Sequence, residues 1–295
     1  MTNPWIEATR PRTLPVSVAG VLAGVACAVH YGQIVWVQAL LCLCFALLAQ
    51  IASNFANEYF DFRKGLDRKG RAGFRRSVTE GDISPRAMLG ATVAALTASC
   101  ITGLAMLLVS GQWWLLIPGG IIPVFALAYS AGPWPLSHHG LGDIAVIIFF
   151  GIIPVCLTAY LCSGGEWDAL PLAAPTSVSI GLLAANVLIV NNYRDMEDDK
   201  EAGKHTTVVL LGRKTMSMAY LCFGIIAMIV MWPVWQATFH YCGWFIPLLY
   251  LAIHRIIWLR IRHSRGAALN PLLGLTAANL LMFSLFTSAL LCIPH

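Results

Sequence analysis

Asn191-Asn192-Tyr193-Arg194-Asp195-Met196-Glu197-Asp198-Asp199-Lys200 follows directly on the apolar run 179–190 and leads into Glu201-Ala202-Gly203-Lys204-His205-Thr206. Asn191, Asp195 and Asp199 are spaced i, i+4, i+8, so on a helix continuing out of that run they share one face. An earlier stretch has the same form: Asn57-Glu58-Tyr59-Phe60-Asp61-Phe62-Arg63-Lys64-Gly65-Leu66-Asp67, directly after the apolar run 34–53. Asn57 and Asp61 are again four apart, and Gly65 is expected to end the helix before Asp67. The fold therefore has to place two Asn/Asp clusters, each at the mouth of a hydrophobic helix.

Composition sets the solvent. Of 295 residues, 58% are hydrophobic and 11% charged, and the mean hydropathy is +0.72. Soluble domains carry about 25% charged residues, so a soluble globular chain is excluded. A membrane-spanning helix needs roughly 20 apolar residues. Nine runs approach that length: 13–31, 34–53, 87–110, 113–130, 141–162, 173–190, 216–236, 239–258 and 271–293. The expectation is an all-α, polytopic membrane protein with nine transmembrane helices, forming one domain over 1–295.

Charge placement orients it. All 19 Lys and Arg precede the first run or fall in the loops after the second, sixth and eighth runs and their flanks. By the positive-inside rule this puts the N-terminus and both acidic clusters on the cytoplasmic side, as in a bacterial inner membrane. The net charge of +5 suits an anionic lipid leaflet. No aromatic-basic module accompanies it, so nucleic acid is not expected as a partner. Most of the nine Cys lie within apolar runs and show no CxxC spacing, which reads as packing rather than metal binding. Arg10, Arg12, the run from Leu14 and Ala26-Cys27-Ala28 mimic a signal peptide, but the regular topology favours an uncleaved first helix.

The connecting segments differ in what they demand. The loop after the second run holds Arg63, Lys64, Arg68, Lys69, Arg71, Arg75 and Arg76 beside Asp61 and Asp67. Topology requires the basic residues, but not carboxylates and amides projecting from a helix end, and polar groups near a membrane usually mark a site. The Gly/Pro-rich loop at 129–140 contains His138 and His139, whose adjacency does not match a helical His-His metal pair; a solvent-facing pair is expected. Asp143 reads as a helix-start charge. Arg255, Arg260, Arg262 and Arg265 read as topogenic and lipid-facing. The second cluster repeats the first four runs later, implying two four-helix halves with a ninth helix appended and a site between them.

Carboxylate and amide oxygens are hard ligands suited to Mg²⁺, which is commonly held by one or two carboxylates together with substrate phosphates. Asn57, Asp61 and Asp67 form one candidate metal set; Asn191, Asp195 and Asp199 form the other. Acidic clusters alone repel a diphosphate, so metal has to bridge them, while Arg63, Lys64, Arg75, Arg194 and Lys204 are candidates for direct phosphate contact. Apolar helices behind the site would hold a hydrophobic tail. A polyisoprenyl diphosphate has both features.

At this point the chain resembles the UbiA superfamily of intramembrane aromatic prenyltransferases. The paired Asp-rich motifs carry the likeness. Within the superfamily it is similar to the 1,4-dihydroxy-2-naphthoate polyprenyltransferase branch. That likeness lies in Ala-x-Arg-Pro-x-Thr-Leu at 8–14, Gly65 before Asp67, Arg71-Ala72-Gly73 with Gly81-Asp82-Ile83-Ser84-Pro85, and Tyr129-Ser130-x-Gly132-Pro133-x-Pro135-Leu136 with His139-Gly140-Leu141-Gly142. The sequence departs from the pattern at Glu58, where the family usually has Asp, and at Phe74, where the branch often has Pro.

The resemblance implies nine helices arranged around a central cavity and a Mg²⁺-dependent transfer of a polyprenyl group from its diphosphate to the naphthoate ring. Decarboxylation and diphosphate release would accompany it, giving demethylmenaquinone or its quinol in menaquinone biosynthesis. Asp61, Asp195 and Asp199 become the expected catalytic carboxylates. Arg10 is the candidate for a carboxylate or phosphate, and Tyr129 for orienting the acceptor. A 4-hydroxybenzoate or other aromatic prenyltransferase is the alternative within the superfamily. A membrane transporter is the remote one, since transporters place polar groups nearer the bilayer midplane.

Overall fold

The computed structural model describes residues 3–32, 34–238 and 243–293, and the regular elements among them are helices. In chain order these are α1 (Pro4–Ala8), α2 (Pro15–His30), α3 (Trp36–Arg63), α4 (Ser77–Glu80), α5 (Pro85–Ser110), α6 (Leu116–Ala128), α7 (Gly142–Val146) and α8 (Ile153–Cys162). They continue as α9 (Leu170–Glu201), α10 (Thr207–Val230), α11 (Trp232–Ala237), α12 (Phe245–His263) and α13 (Asn270–Leu291). A wide turn at Ile147–Ile152 joins α7 to α8.

Helix covers each apolar run expected from the sequence, although residues 239–242 of the run 239–258 lie outside the described residues. Among the described residues six helices are long and apolar enough to cross a membrane, and shorter or more polar helices cover the other three expected runs. The shortfall has local causes. α2 has only 16 residues, starting at Pro15. α6 has 13 and carries Pro123. The last turn of α12 holds Arg260, Arg262 and His263, which lower its apolar character.

α9 is the axis of the bundle. Its apolar window is 72% buried against 17% for α5, and it packs on α2, α8, α10 and α13. Because lipid is as apolar as leucine, close backbone approach rather than hydrophobicity holds such helices together. Here Gly151 meets Gly181: a Cβ built on Gly151 would lie 2.4 Å from the Gly181 Cα. Any side chain at 151 would push the wide turn off α9.

Both long helices outrun their apolar stretches. α3 continues through Asn57 and Asp61 to Arg63 and then stops, with Gly65 in the left-handed region at φ 68°, as the sequence predicted. α9 runs unbroken through Asn191, Asp195 and Asp199. Their ends meet the loops 64–76, 129–141 and 202–206: Lys64 Nζ donates to the Ser130 carbonyl at 3.1 Å, and His205 N to the His138 carbonyl at 2.9 Å.

Candidate active site

Asn57 and Asp61 of the first cluster and Asn191, Asp195 and Asp199 of the second line one cavity of about 170 Å³, together with Arg10, Arg71, Phe74, Arg76, Tyr129 and Lys204. Gln50, Ser53, Tyr129, Val146 and Phe150 border both this cavity and a second of about 350 Å³. The second is bounded mostly by apolar residues of α3, α5, α6 and α8, among them Phe45, Leu107 and Leu157. A polar chamber thus abuts an apolar one across a short waist. Two polar side chains of that waist are satisfied: Gln50 accepts from Ser17 Oγ at 2.6 Å and donates to the Thr13 carbonyl at 3.0 Å, and Ser53 donates to the Ala126 carbonyl at 3.1 Å.

Each cluster is held by a cation from the other half of the chain. Lys204 Nζ donates to Asp61 Oδ2 at 2.8 Å, and Arg71 Nη2 to Asp195 Oδ2 at 2.9 Å. At the exposed rim Arg68 pairs with Asp198 and Glu201 in the same crosswise sense. Buried charges are tolerated only when paired and hydrogen-bonded, which explains why basic residues are interleaved with acidic ones here.

In the first cluster the Asn57 amide is fully used. Its Oδ1 accepts from both Arg10 Nη2 and Arg76 Nη1, and its Nδ2 donates to Asp61 Oδ2 at 3.2 Å and Ser130 Oγ at 2.9 Å. Asp67 lies behind the cavity wall. Its carboxylate pairs with Arg71 at 2.6 Å and with Arg76 at 3.2 Å. Glu58 is also turned away: Oε1 accepts from Val78 N at 2.9 Å, capping the short helix α4. Asp61 has no exposed side-chain surface, and its Oδ1 accepts no hydrogen bond, with His138 Nε2 3.5 Å away.

In the second cluster Arg194 is a buttress. Its Nε and Nη2 bind the two Asp195 oxygens at 2.7 and 2.8 Å, Nη2 also reaches Asn191 Oδ1 at 2.8 Å, and Nη1 reaches Asn270 Oδ1 at 3.0 Å. Among the described residues no hydrogen bond reaches the Asp199 carboxylate, which lines the cavity.

The loop arginines respond to this charge. For Arg71, burial acts to lower the pKa, but Asp195, Asp67 and Asp199 outweigh it and hold the group above its ordinary value. Arg10 goes the other way: burial, then the adjacent Arg76, pulls it down to about 9. A guanidinium destabilised in this way gains from an incoming anion.

The structure rearranges several expectations. Arg63, Lys64 and Arg75 were candidate phosphate ligands, but all three are exposed and absent from the cavity wall. The end of α3 directs the first two outward, and Arg75 pairs with Asp82 at 2.5 Å. Arg71 and Arg76 face inward in their place. His138, expected in solvent, sits beside Asp61, while His139 packs at 4.5 Å on the Trp134 ring. Asp143 lies in the first turn of α7, as expected of a helix-start charge, and also accepts from Thr207 Oγ1 at 2.5 Å. The sequence offered no signal for His138, because its partner arrives from a distant helix end.

The donor chemistry fits a hard divalent cation at two places. The unpaired oxygen of Asp61 and the free carboxylate of Asp199 line the same cavity. Among the described residues no three acidic, His or Cys side chains are grouped as a ready-made metal site, and arginines pair with Asn57, Asp67, Asn191 and Asp195.

Comparison with known proteins identifies the family. A model of the UbiA prenyltransferase family matches residues 17–290. The chain is 38% identical over 226 residues to the 1,4-dihydroxy-2-naphthoate octaprenyltransferase of Escherichia coli, covering 75% of this chain and 72% of that one. It is 37% identical over 232 residues to the protein of the same name from Mycobacterium leprae, covering 77% of each. Among solved structures, a UbiA homolog from Aeropyrum pernix K1 superposes with a TM-score of 0.70 at 16% identity, over 97% of this chain and 98% of that one. A UbiA homolog from Archaeoglobus fulgidus bound to DMAPP and Mg²⁺ gives a TM-score of 0.64 at 18% identity, over 97% and 99%. At those identities the structural likeness is one of fold.

Proposed function

Because this chain belongs to the UbiA prenyltransferase family, we propose that it transfers a polyprenyl group from a polyprenyl diphosphate to a ring carbon of 1,4-dihydroxy-2-naphthoate. The carbon–oxygen bond to the diphosphate breaks and a carbon–carbon bond forms. Diphosphate leaves, the ring loses its carboxyl group as CO₂, and the product is the quinol of demethylmenaquinone, a step of menaquinone biosynthesis. One observation carries this reading: a cavity walled by acids and arginines shares five lining residues with an adjoining apolar chamber. An anionic head and a long apolar tail on one molecule match that pair of chambers.

The residues divide the work. Asp61 and Asp199, with Asp195 once Arg71 is drawn to phosphate, would hold Mg²⁺. When bound, Mg²⁺ would neutralise the charge growing on the departing diphosphate. Arg71, Arg76 and Lys204 would exchange carboxylate partners for phosphate oxygens. The scissile carbon, joined to the diphosphate on one side and the chain on the other, then lies at the waist beside Tyr129. Apolar walls keep water from an allylic cation, so the electron-rich ring captures it. The protein works as one membrane-embedded domain with its acidic end on the cytoplasmic side.

The test is prenyl transfer by the purified protein in detergent, with 1,4-dihydroxy-2-naphthoate or 4-hydroxybenzoate as acceptor. Product from the naphthoate alone, lost on chelation and restored by Mg²⁺, is expected. Product from the benzoate alone would move the protein to a different pathway.

A further inference from the structure

Phe74 does more than close the loop between α3 and α4. Its ring lines the polar cavity and lies under two guanidinium groups, with Arg194 Cζ 5.0 Å and Arg10 Cζ 5.7 Å from the ring centroid. We propose that Phe74 is a positioning residue: it is the plate on which Arg10 is held to receive an oxyanion of a substrate. The inference rests on the reaction proposed above.

The ring is fixed from the second half of the chain. Arg194 has a partner at Nε, Nη1 and Nη2, so it is a rigid support rather than a free cation. Gly73 presses against it: a Cβ there would lie 2.8 Å from both Arg194 Nη2 and Asp195 Oδ1. The Ala72 carbonyl accepts from Asn270 Nδ2 at 3.1 Å, and Asn270 in turn holds Arg194. Backbone and ring are therefore located by α9 and α13, not by the loop itself.

Arg10 comes from the first half and has unused capacity. Its Nη2 bonds Asn57 Oδ1, but Nε is shielded from solvent and has no hydrogen-bond partner. Arg76 Nη1 bonds the same amide oxygen at 3.1 Å, so two guanidinium groups share one neutral acceptor. That arrangement leaves positive charge awaiting an anion. The backbone supports it at a cost. Arg10 is the non-glycine residue at positive φ, 55°, among the described residues, a conformation that persists only where the surroundings enforce it. An aromatic face attracts a guanidinium without consuming its N–H donors, which is what a residue oriented for a ligand requires. The oxyanion is either the diphosphate or the carboxylate of the naphthoate, and the two arms below separate them.

The experiment is steady-state kinetics of the full-length protein with Mg²⁺, varying the polyprenyl diphosphate and the naphthoate separately, for wild type, Phe74→Leu and Phe74→Tyr. Phe74→Leu is expected to raise KM for one substrate on the order of tenfold, with a smaller change in kcat, and Phe74→Tyr to restore the wild-type value. A rise for the diphosphate assigns Arg10 to phosphate; a rise for the naphthoate assigns it to the carboxylate. Unchanged KM values in Phe74→Leu, or losses that Phe74→Tyr shares, would overturn the proposal. Should Phe74→Leu not elute as the wild type does on size exclusion, Phe74→Met replaces it. A wild type inactive on both substrates would sink the reaction instead. Calorimetric binding of inorganic diphosphate and of the naphthoate then makes the same comparison, with unaltered binding in the ringless variant counting against Phe74.

Discussion

Asn57, Asp61 and Asp67 are divided between the end of α3 and the loop beyond it, whereas Asn191, Asp195 and Asp199 lie along the unbroken helix α9. The difference shows in how each carboxylate is held. The first cluster draws on scattered groups: Lys204, Arg76, Arg10 and His138 converge on Asn57 and Asp61 from four separate segments. The second is braced from within by Arg194, one residue from Asp195, and only then by Arg71 from across the cavity. Equal motifs in sequence thus become a closed, prefolded half and a half assembled from loops. The expectation is that the closed half acts as the scaffold for the assembled one.

The largest expected effect tests whether both halves are needed at once. Asp61→Ala and Asp199→Ala each remove a carboxylate that lines the cavity with an oxygen no hydrogen bond occupies. Each is expected to lower kcat by about 10²–10³-fold, the scale of losing one electrostatic contact to a developing anion. Chelation with EDTA should abolish turnover in the wild type. If Asp199→Ala retained full activity while Asp61→Ala did not, one half alone would serve the reaction and the comparison would fail.

Next comes the brace. Arg194→Gln leaves Asp195 buried with only Arg71 beside it, and an unbalanced buried charge is costly, about 3 kcal/mol. A lowered Tm in detergent and a loss of activity on the order of 10–100-fold, as for groups that orient ligands, are expected. Lys204→Gln should cost less stability, because Arg76 and His138 remain near Asp61. The reverse order of Tm values would mean that the first cluster, not the second, is the scaffold.

These contrasts also mark how much was legible beforehand. On α9 the four-residue spacing of Asn191, Asp195 and Asp199 defined a helical face, and the helix continued as the pattern required. Asn57 and Asp61 were legible for the same reason. Beyond Gly65 helical periodicity no longer constrains direction, and adjacency to the motif misled: Arg63, Lys64 and Arg75 point outward while Arg71 and Arg76 turn in. His138 and Phe74 became visible only when loops distant in sequence met over the cavity. The membrane spans were read from apolar length, and that measure says little of α2 and α6, which are short and carry or begin at proline.

The smallest expected effect concerns Glu58, the acidic residue next to Asn57. Were it a ligand, the first cluster would hold as many metal-facing carboxylates as the second. Its Oε1 instead accepts from Val78 N, and the side chain is buried against α4 away from the cavity wall. The extra methylene provides that reach. Glu58→Gln keeps an acceptor oxygen on a stem of the same length and loses only the charge assistance of that bond, so a stability loss of at most about 1 kcal/mol is expected. The Mg²⁺ concentration giving half-maximal activity should not move. Glu58→Asp keeps the charge but shortens the stem, and should lower Tm more than Glu58→Gln does. A raised Mg²⁺ requirement in Glu58→Gln, with Tm unchanged, would return Glu58 to the metal and make the two clusters alike after all.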